Sequence, residues 1–211
     1  MMYASATELV GNTPLMRADR FAKAYGIEAN LVVKLESRNP GGSSKDRIAL
    51  NMICRAEERG ELKPGATLIE ATSGNTGVGL GVIAAARGYR VVLTMPESMS
   101  LERRKILEAL GVSIELTNAE RGMAGANERA EELLSEIPGS KRMLQFENPD
   151  NTAAHEATTG PEIWRDSEGR VDALIAGVGT GGTVCGAGRY LKRQNPKVRV
   201  IAVQPAESPV L

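Results

Sequence analysis

The chain has 211 residues, with 26 basic and 26 acidic side chains, one His and two Cys. Zero formal charge lacks the basic excess that releases phosphate counterions, which argues against nucleic-acid binding; 42% hydrophobic and 25% charged residues is globular rather than disordered composition. No apolar run approaches the roughly 20 residues of a bilayer span, no basic and apolar leader opens the chain, and Cys54 and Cys185 are isolated, so no disulfide framework and no metal site are expected and a reduced, cytoplasmic protein is the default.

Short apolar runs alternate with helical stretches. In chain order the pattern predicts strand Leu31–Glu36, helix Lys45–Arg59, strand Thr67–Ala71, helix Thr76–Arg87, strand Arg90–Met95 and helix Ser100–Leu110. Strand Ser113–Thr117, helix Ala124–Glu136, strand Met143–Phe146, helix Ala153–Arg165, strand Ala173–Val178, helix Thr183–Lys192 and strand Val198–Val203 follow. Gly60, Gly88 and Gly111 stand where glycines end helices, and Ser100 has the chemistry of an N-cap. Strand–helix repetition implies a mostly parallel sheet with right-handed crossovers. Val91–Met95 and Ala173–Val178 are apolar throughout, as strands covered on both faces are. Glu147–Thr152 reads as a polar connector and domain crossing, and the Pro-rich run VQPAESPVL ends the chain where a domain rarely ends, so a truncated chain is expected.

Open α/β sheets bind ligands beyond the carboxyl ends of their strands, so the loops after strands are where chemistry is sought. Asn39–Arg47, NPGGSSKDR, runs straight into a helix with Lys45 in its opening turn. The positive end of a helix disfavours the ammonium and lowers its pKa, as a Schiff-base lysine needs; a surface lysine beside Asp46 is the plainer reading. Thr72–Gly77, TSGNTG, exposes backbone N–H groups suited to a carboxylate, or is a close-packed turn; Gly77, Gly79 and Gly81 make sense if the helix packs closely on a strand or a cofactor. Gly177–Thr183, GVGTGGT, satisfies GxGxxG at Gly177, Gly179 and Gly182. The strand that follows ends in Gln204 and Pro205 with Glu207 beyond, so the acidic residue a dinucleotide site wants is out of place, and the extra Gly and two Thr suit a single phosphate group better; dinucleotide binding stays the second reading. Gln145 could meet a substrate carboxylate or cap a turn, and the lone His155 reads as structural. No hydrolase motif appears.

These motifs together resemble the cysteine synthase family, the O-acetylserine sulfhydrylases among the fold-type II pyridoxal-phosphate enzymes. The resemblance is carried by VGNTPL at Val10–Leu15, KLES at Lys34–Ser37, SSKDR around Lys45 and IEATSGNTG at Ile69–Gly77. It continues through MPESMSLERRK at Met95–Lys105, QFENPDN at Gln145–Asn151, TTGPEIW at Thr158–Trp164 and AGVGTGGT at Ala176–Thr183. SSKDR is shared by the A and B types, while QPAESPVL and the glycine loop lean to the A type.

The resemblance implies an α/β fold of two lobes, tryptophan synthase β-like, with open, twisted, mostly parallel sheets and flanking helices, incomplete at the C-terminus. A smaller lobe would span 38–147, and a second lobe 1–37 plus 148–211. Lys45 matches the lysine that binds pyridoxal 5'-phosphate covalently and then acts as general base. Asn75 matches the residue bonded to the cofactor's 3′-oxygen, and Gly179, Thr180, Gly181, Gly182 and Thr183 match its phosphate cup. Thr72, Ser73, Gly74, Thr76 and Gln145 match the groups that hold the amino-acid carboxylate. The implied reaction replaces the acetate of O-acetylserine by sulfide to give L-cysteine. Family members run beyond this chain, and the serine facing the pyridine nitrogen lies in that part. A homodimer is implied, with the C-terminus of serine acetyltransferase as a further partner. Cystathionine β-synthase and serine or threonine dehydratases share the fold, and a non-catalytic fragment that only binds the acetyltransferase tail is the alternative outside enzymology.

Overall fold

The structure, a computed structural model, describes residues 2–207. The predicted Pro-rich end falls partly on Ser208–Leu211, outside the described residues. An antiparallel pair, β1 (Leu15–Arg17) and β2 (Val32–Lys34), brackets the short helix α1 (Asp19–Ala24). The chain then alternates: α2 (Lys45–Glu58), β3 (Thr67–Ala71), α3 (Asn75–Arg87), β4 (Arg90–Pro96), α4 (Leu101–Ala109), β5 (Ser113–Thr117), α5 (Gly122–Glu136) and β6 (Lys141–Arg142). The next helix comes in three pieces: α6 (Pro149–Ala154), a turn of π-helix at His155–Thr159, and α7 (Gly160–Asp166). Then β7 (Ala173–Gly177), α8 (Gly182–Gln194) and β8 (Arg199–Val203) complete the described fold.

β3–β6 form a parallel sheet in the order β5-β4-β3-β6, and β7 and β8 form a separate parallel pair. The period of two along β3 and β4 sorts side chains to opposite faces. Leu68, Val91, Leu93 and Met95 join Ile48, Met52, Ile53, Leu80 and Ile83 of α2 and α3 in the larger core. Ile69 and Ala71 meet Ala126, Ala130 and Leu133 of α5 on the other face. Burial of such a side chain contributes roughly 1.5–3 kcal/mol, which is why these short strands hold. Gly60, Gly88 and Gly111 take the left-handed φ expected of helix-ending glycines, 70°, 77° and 79°.

The structure departs from the sequence pattern at five places. Ser100 precedes α4 as expected, but its side chain makes no capping bond. Met143–Phe146 is not a strand: pairing stops at Arg142, and the Leu144 N–H turns away to the Glu70 carboxylate at 2.8 Å with Leu144 at φ 52°. Glu147–Thr152 is not a connector, because Asn148 accepts from the Asp150 N–H and Pro149 opens α6. The expected single helix at Ala153–Arg165 widens to a π turn ahead of Pro161, whose ring displaces the carbonyl four residues back. Ala173–Val178 is covered on one face only: Val200 of β8 packs toward α8 at Gly188, while Ile175 remains 61% exposed on the other face.

Candidate functional site

The order β5-β4-β3-β6 reverses direction at β3, since β4 and β5 are laid down to one side and α5 returns the chain to the other. Ligands in open sheets bind at such a reversal, beyond the carboxyl ends of the two strands. The turns leaving β3 and β6 there carry Thr72–Gly74 and Leu144–Gln145, and a cavity of about 610 Å³ opens between them, floored by Glu70. The Thr72 hydroxyl accepts from the Gly74 N–H at 3.2 Å and closes the turn. No side chain caps α3; its Gly77 N–H donates to the Gly74 carbonyl at 3.0 Å, and the N–H groups of Asn75 and Thr76 ahead of it are placed as a helix start places them for an anion. Buried Thr76 donates to Gln145 Oε1 at 2.5 Å, and Arg103 donates to the Ser73 carbonyl at 2.9 Å. Four of the expected carboxylate-binding residues, Thr72, Ser73, Gly74 and Gln145, line this cavity; Thr76 stands behind Gln145.

Lys45 opens α2, and α3 presses against it there. A Cβ at Gly79 would come within 2.9 Å of the Lys45 carbonyl oxygen, so the glycine is needed for the two helices to touch. The close approach at this glycine is to a helix, where a strand or a cofactor was expected. Lys45 is half-buried, and burial is the main reason its pKa lies below the ordinary lysine value, with Glu36 pulling the other way. The direction expected from the helix terminus is therefore met, but desolvation is its leading cause. Asp46 folds back to accept the Gly41 N–H at 2.5 Å, and burial raises its pKa.

The glycine loop leads from β7 into α8. Gly181 takes φ 78°, and its carbonyl accepts from the Cys185 N–H at 3.0 Å to start the helix. Thr180 Oγ1 accepts from the Gly182 N–H at 3.3 Å. Buried His155 contacts Thr183 Oγ1 through Nε2 at 3.2 Å and Thr159 Oγ1 through Nδ1 at 2.8 Å, and burial drives its pKa down to about 4. Arg47 and Lys45 add to that lowering, and Glu36 and Glu162 oppose it.

One residue overlooked in the sequence joins the turn at Gln145 to the glycine loop. The Asn151 Nδ2 amide donates to the Gln145 carbonyl at 2.7 Å and to Thr180 Oγ1 at 2.9 Å. It lay in the stretch read as a polar connector, and only the start of α6 at Pro149 turns it inward. Asn75 and Gly179 are exposed, and Lys45, Asn75 and the glycine loop do not line the 610 Å³ cavity. Apart from Gly182, whose N–H donates to Thr180 Oγ1, the opening N–H groups of α8 join two threonine hydroxyls and a desolvated amine in a donor set that suits a monophosphate bearing an aldehyde, so pyridoxal phosphate fits these residues.

A family model described as pyridoxal-phosphate dependent enzyme matches residues 6–211. The chain belongs to that family. This membership sets the dinucleotide reading of Gly177, Gly179 and Gly182 aside. Cysteine synthase A of Escherichia coli (strain K12) is 52% identical over 205 residues, covering 96% of this chain and 62% of the relative. Cysteine synthase of Haemophilus influenzae is 50% identical over 212 residues, covering all of this chain and 66% of the relative. Among solved structures, cysteine synthase (OASS) from Entamoeba histolytica superposes with a TM-score of 0.94 at 43% identity, over 100% of this chain and 63% of that one. The chain thus spans less than two thirds of the length of these relatives. No helix among the described residues is long and apolar enough to cross a membrane.

Proposed function

We propose that the chain carries the cofactor and substrate-carboxylate sites of a cysteine synthase, which replaces the acetate of O-acetylserine by sulfide. The observation that carries this reading is the hydrogen-bonded link from Thr76 through Gln145 and Asn151 to Thr180, which ties a carboxylate turn to a phosphate turn. Gly179, Thr180, Gly181, Gly182 and Thr183 would hold the phosphate of pyridoxal 5'-phosphate, Asn75 its 3′-oxygen and Lys45 its aldehyde carbon. When bound, the cofactor supplies the electron sink for charge at the α-carbon. Thr72, Ser73, Gly74, Thr76 and Gln145 would hold the acid end of O-acetylserine. Lys45 Nζ, its charged form disfavoured by burial, would then take the α-proton.

Half-identity to cysteine synthases over nearly the whole chain supports this reading over cystathionine β-synthase, a dehydratase or a non-catalytic fragment. The division into lobes 38–147 and 1–37 plus 148–211, a homodimer, the A type, a serine acetyltransferase tail as partner and a cytoplasmic setting belong to the same reading and rest on the family resemblance.

The test is reconstitution of the 211-residue chain with pyridoxal phosphate. Visible absorbance and, after borohydride reduction, a cofactor mass on the Lys45 peptide are expected, and Lys45→Ala should lose both. Cofactor mass on another lysine overturns the assignment. Assays with O-acetylserine plus sulfide and with serine plus homocysteine separate the synthases, and 2-oxo acid release without sulfide uptake counts for a dehydratase.

A further inference from the structure

Of the glycine loop's two threonine hydroxyls, that of Thr180 finds no acceptor for its proton among the described residues, and that of Thr183 has only His155 Nε2 within reach. Thr180 Oγ1 accepts from Asn151 Nδ2 at 2.9 Å and from the Gly182 N–H at 3.3 Å. With both lone pairs engaged, that hydroxyl can act only as a donor. Thr183 depends on the histidine. Thr159 is 2% exposed, and among the described residues its hydroxyl proton has His155 Nδ1, at 2.8 Å, as its one acceptor. A buried hydroxyl left unpaired is costly, so Thr159 donates to Nδ1 and the ring proton sits on Nε2. Nε2–H then donates to Thr183 Oγ1 at 3.2 Å, and the Thr183 proton is likewise left to point elsewhere.

The packing fixes this arrangement. Asn151 is 3% exposed and its Oδ1 has no partner among the described residues, being wedged against Gly182, where a Cβ would stand 1.9 Å from that oxygen. Both supporting side chains come from α6 and the π turn, a helical irregularity that recurs at functional sites.

We propose that Asn151 and His155 are positioning residues which, as an amide donor and an Nε2–H imidazole, turn the hydroxyl protons of Thr180 and Thr183 onto a bound phosphate group. The inference rests on the phosphate-cup reading above and adds what the cup itself does not specify: a neutral, donor-only second layer in place of a lysine or arginine.

His155 is the chain's one histidine, so a long-range ¹H–¹⁵N spectrum of the labelled 211-residue chain shows a single imidazole. Inorganic phosphate and then pyridoxal phosphate are titrated in at neutral pH. A neutral ring protonated on Nε2 in the loaded protein supports the proposal, and an Nδ1–H ring with cofactor bound overturns it. His155→Gln, which keeps a donor, should hold pyridoxal phosphate within a few-fold of the parent. His155→Leu should weaken it about tenfold, and His155→Leu with Thr183→Val should lose no more than His155→Leu alone. Unchanged affinity in His155→Leu, or additive losses, overturns the proposal even if variants fold poorly, because the parent's tautomer is read independently. If neither ligand moves any resonance and no visible absorbance appears, the cup reading falls and the proposal with it.

Discussion

At the scale of single residues, the two groups with the clearest displaced titration are a histidine and a glutamate. His155, 1% exposed, has a pKa of about 4, while the unfolded chain protonates it near 6.5. The unfolded state therefore binds the proton first as pH falls, and stability is lost between pH 6.5 and 4, up to about 3 kcal/mol. Glu162, held down to about 2 by Arg47 and Lys34 against its burial, keeps its stabilising charge above pH 4.5 and loses it as pH drops toward 2. Asp46 and Glu70, raised by burial, work in the opposite sense to His155 above pH 4.5. Comparing the parent with His155→Gln isolates the imidazole from them. Urea unfolding at pH 6.5 and 4.5 should show the parent losing about 2 kcal/mol more than the variant. Equal losses would mean that the ring is protonated in the native state.

At the scale of elements, most helices and the central strands were legible because hydrophobic period and terminal glycines agree there. What was not legible followed from distant side chains. Glu70 pulls the Leu144 N–H out of the ladder, and nothing between Met143 and Phe146 announces that. Thr72–Gly77 and Gly177–Thr183 stood out as candidate sites because glycines and hydroxyls sit at helix starts; Asn151 did not, because where its amide points depends on which way α6 faces. Four of the motifs behind the family resemblance prove to share a structural task. Arg47 of SSKDR pairs with Glu36 of KLES at 2.7 Å and with Glu162 of TTGPEIW at 2.7 Å, and donates to Thr13 of VGNTPL at 3.0 Å. Lys34 adds a 2.6 Å pair to Glu162. This buried network fastens the N-terminal segment and α7 to α2, two residues after Lys45. Removing one partner of such a set strands the others, at about 3–5 kcal/mol. Arg47→Met should lower the unfolding free energy by about 3 kcal/mol, and a loss below about 1 kcal/mol would show that the network is not holding these elements.

At the scale of the whole molecule, the two parallel sheets differ in how they are covered. The sheet centred on β3 is enclosed by α2 and α3 on one side and α5 on the other. The β7–β8 pair has α8 on one side and solvent on the other. Ile175 faces Ile201 across the pair, with Val203 two residues on, and these three are 61%, 37% and 48% exposed. Each falls short of the roughly 1.5–3 kcal/mol that full burial gives, so folding gains little from them, whereas association would gain from covering them. Replacing Ile175 and Val203 together by Lys should leave the thermal midpoint of the 211-residue chain nearly unchanged. The same change should reduce its binding of an apolar dye and its concentration-dependent sedimentation. If the double variant instead unfolds, the two side chains are packed in solution, and the open face is not a feature of the chain.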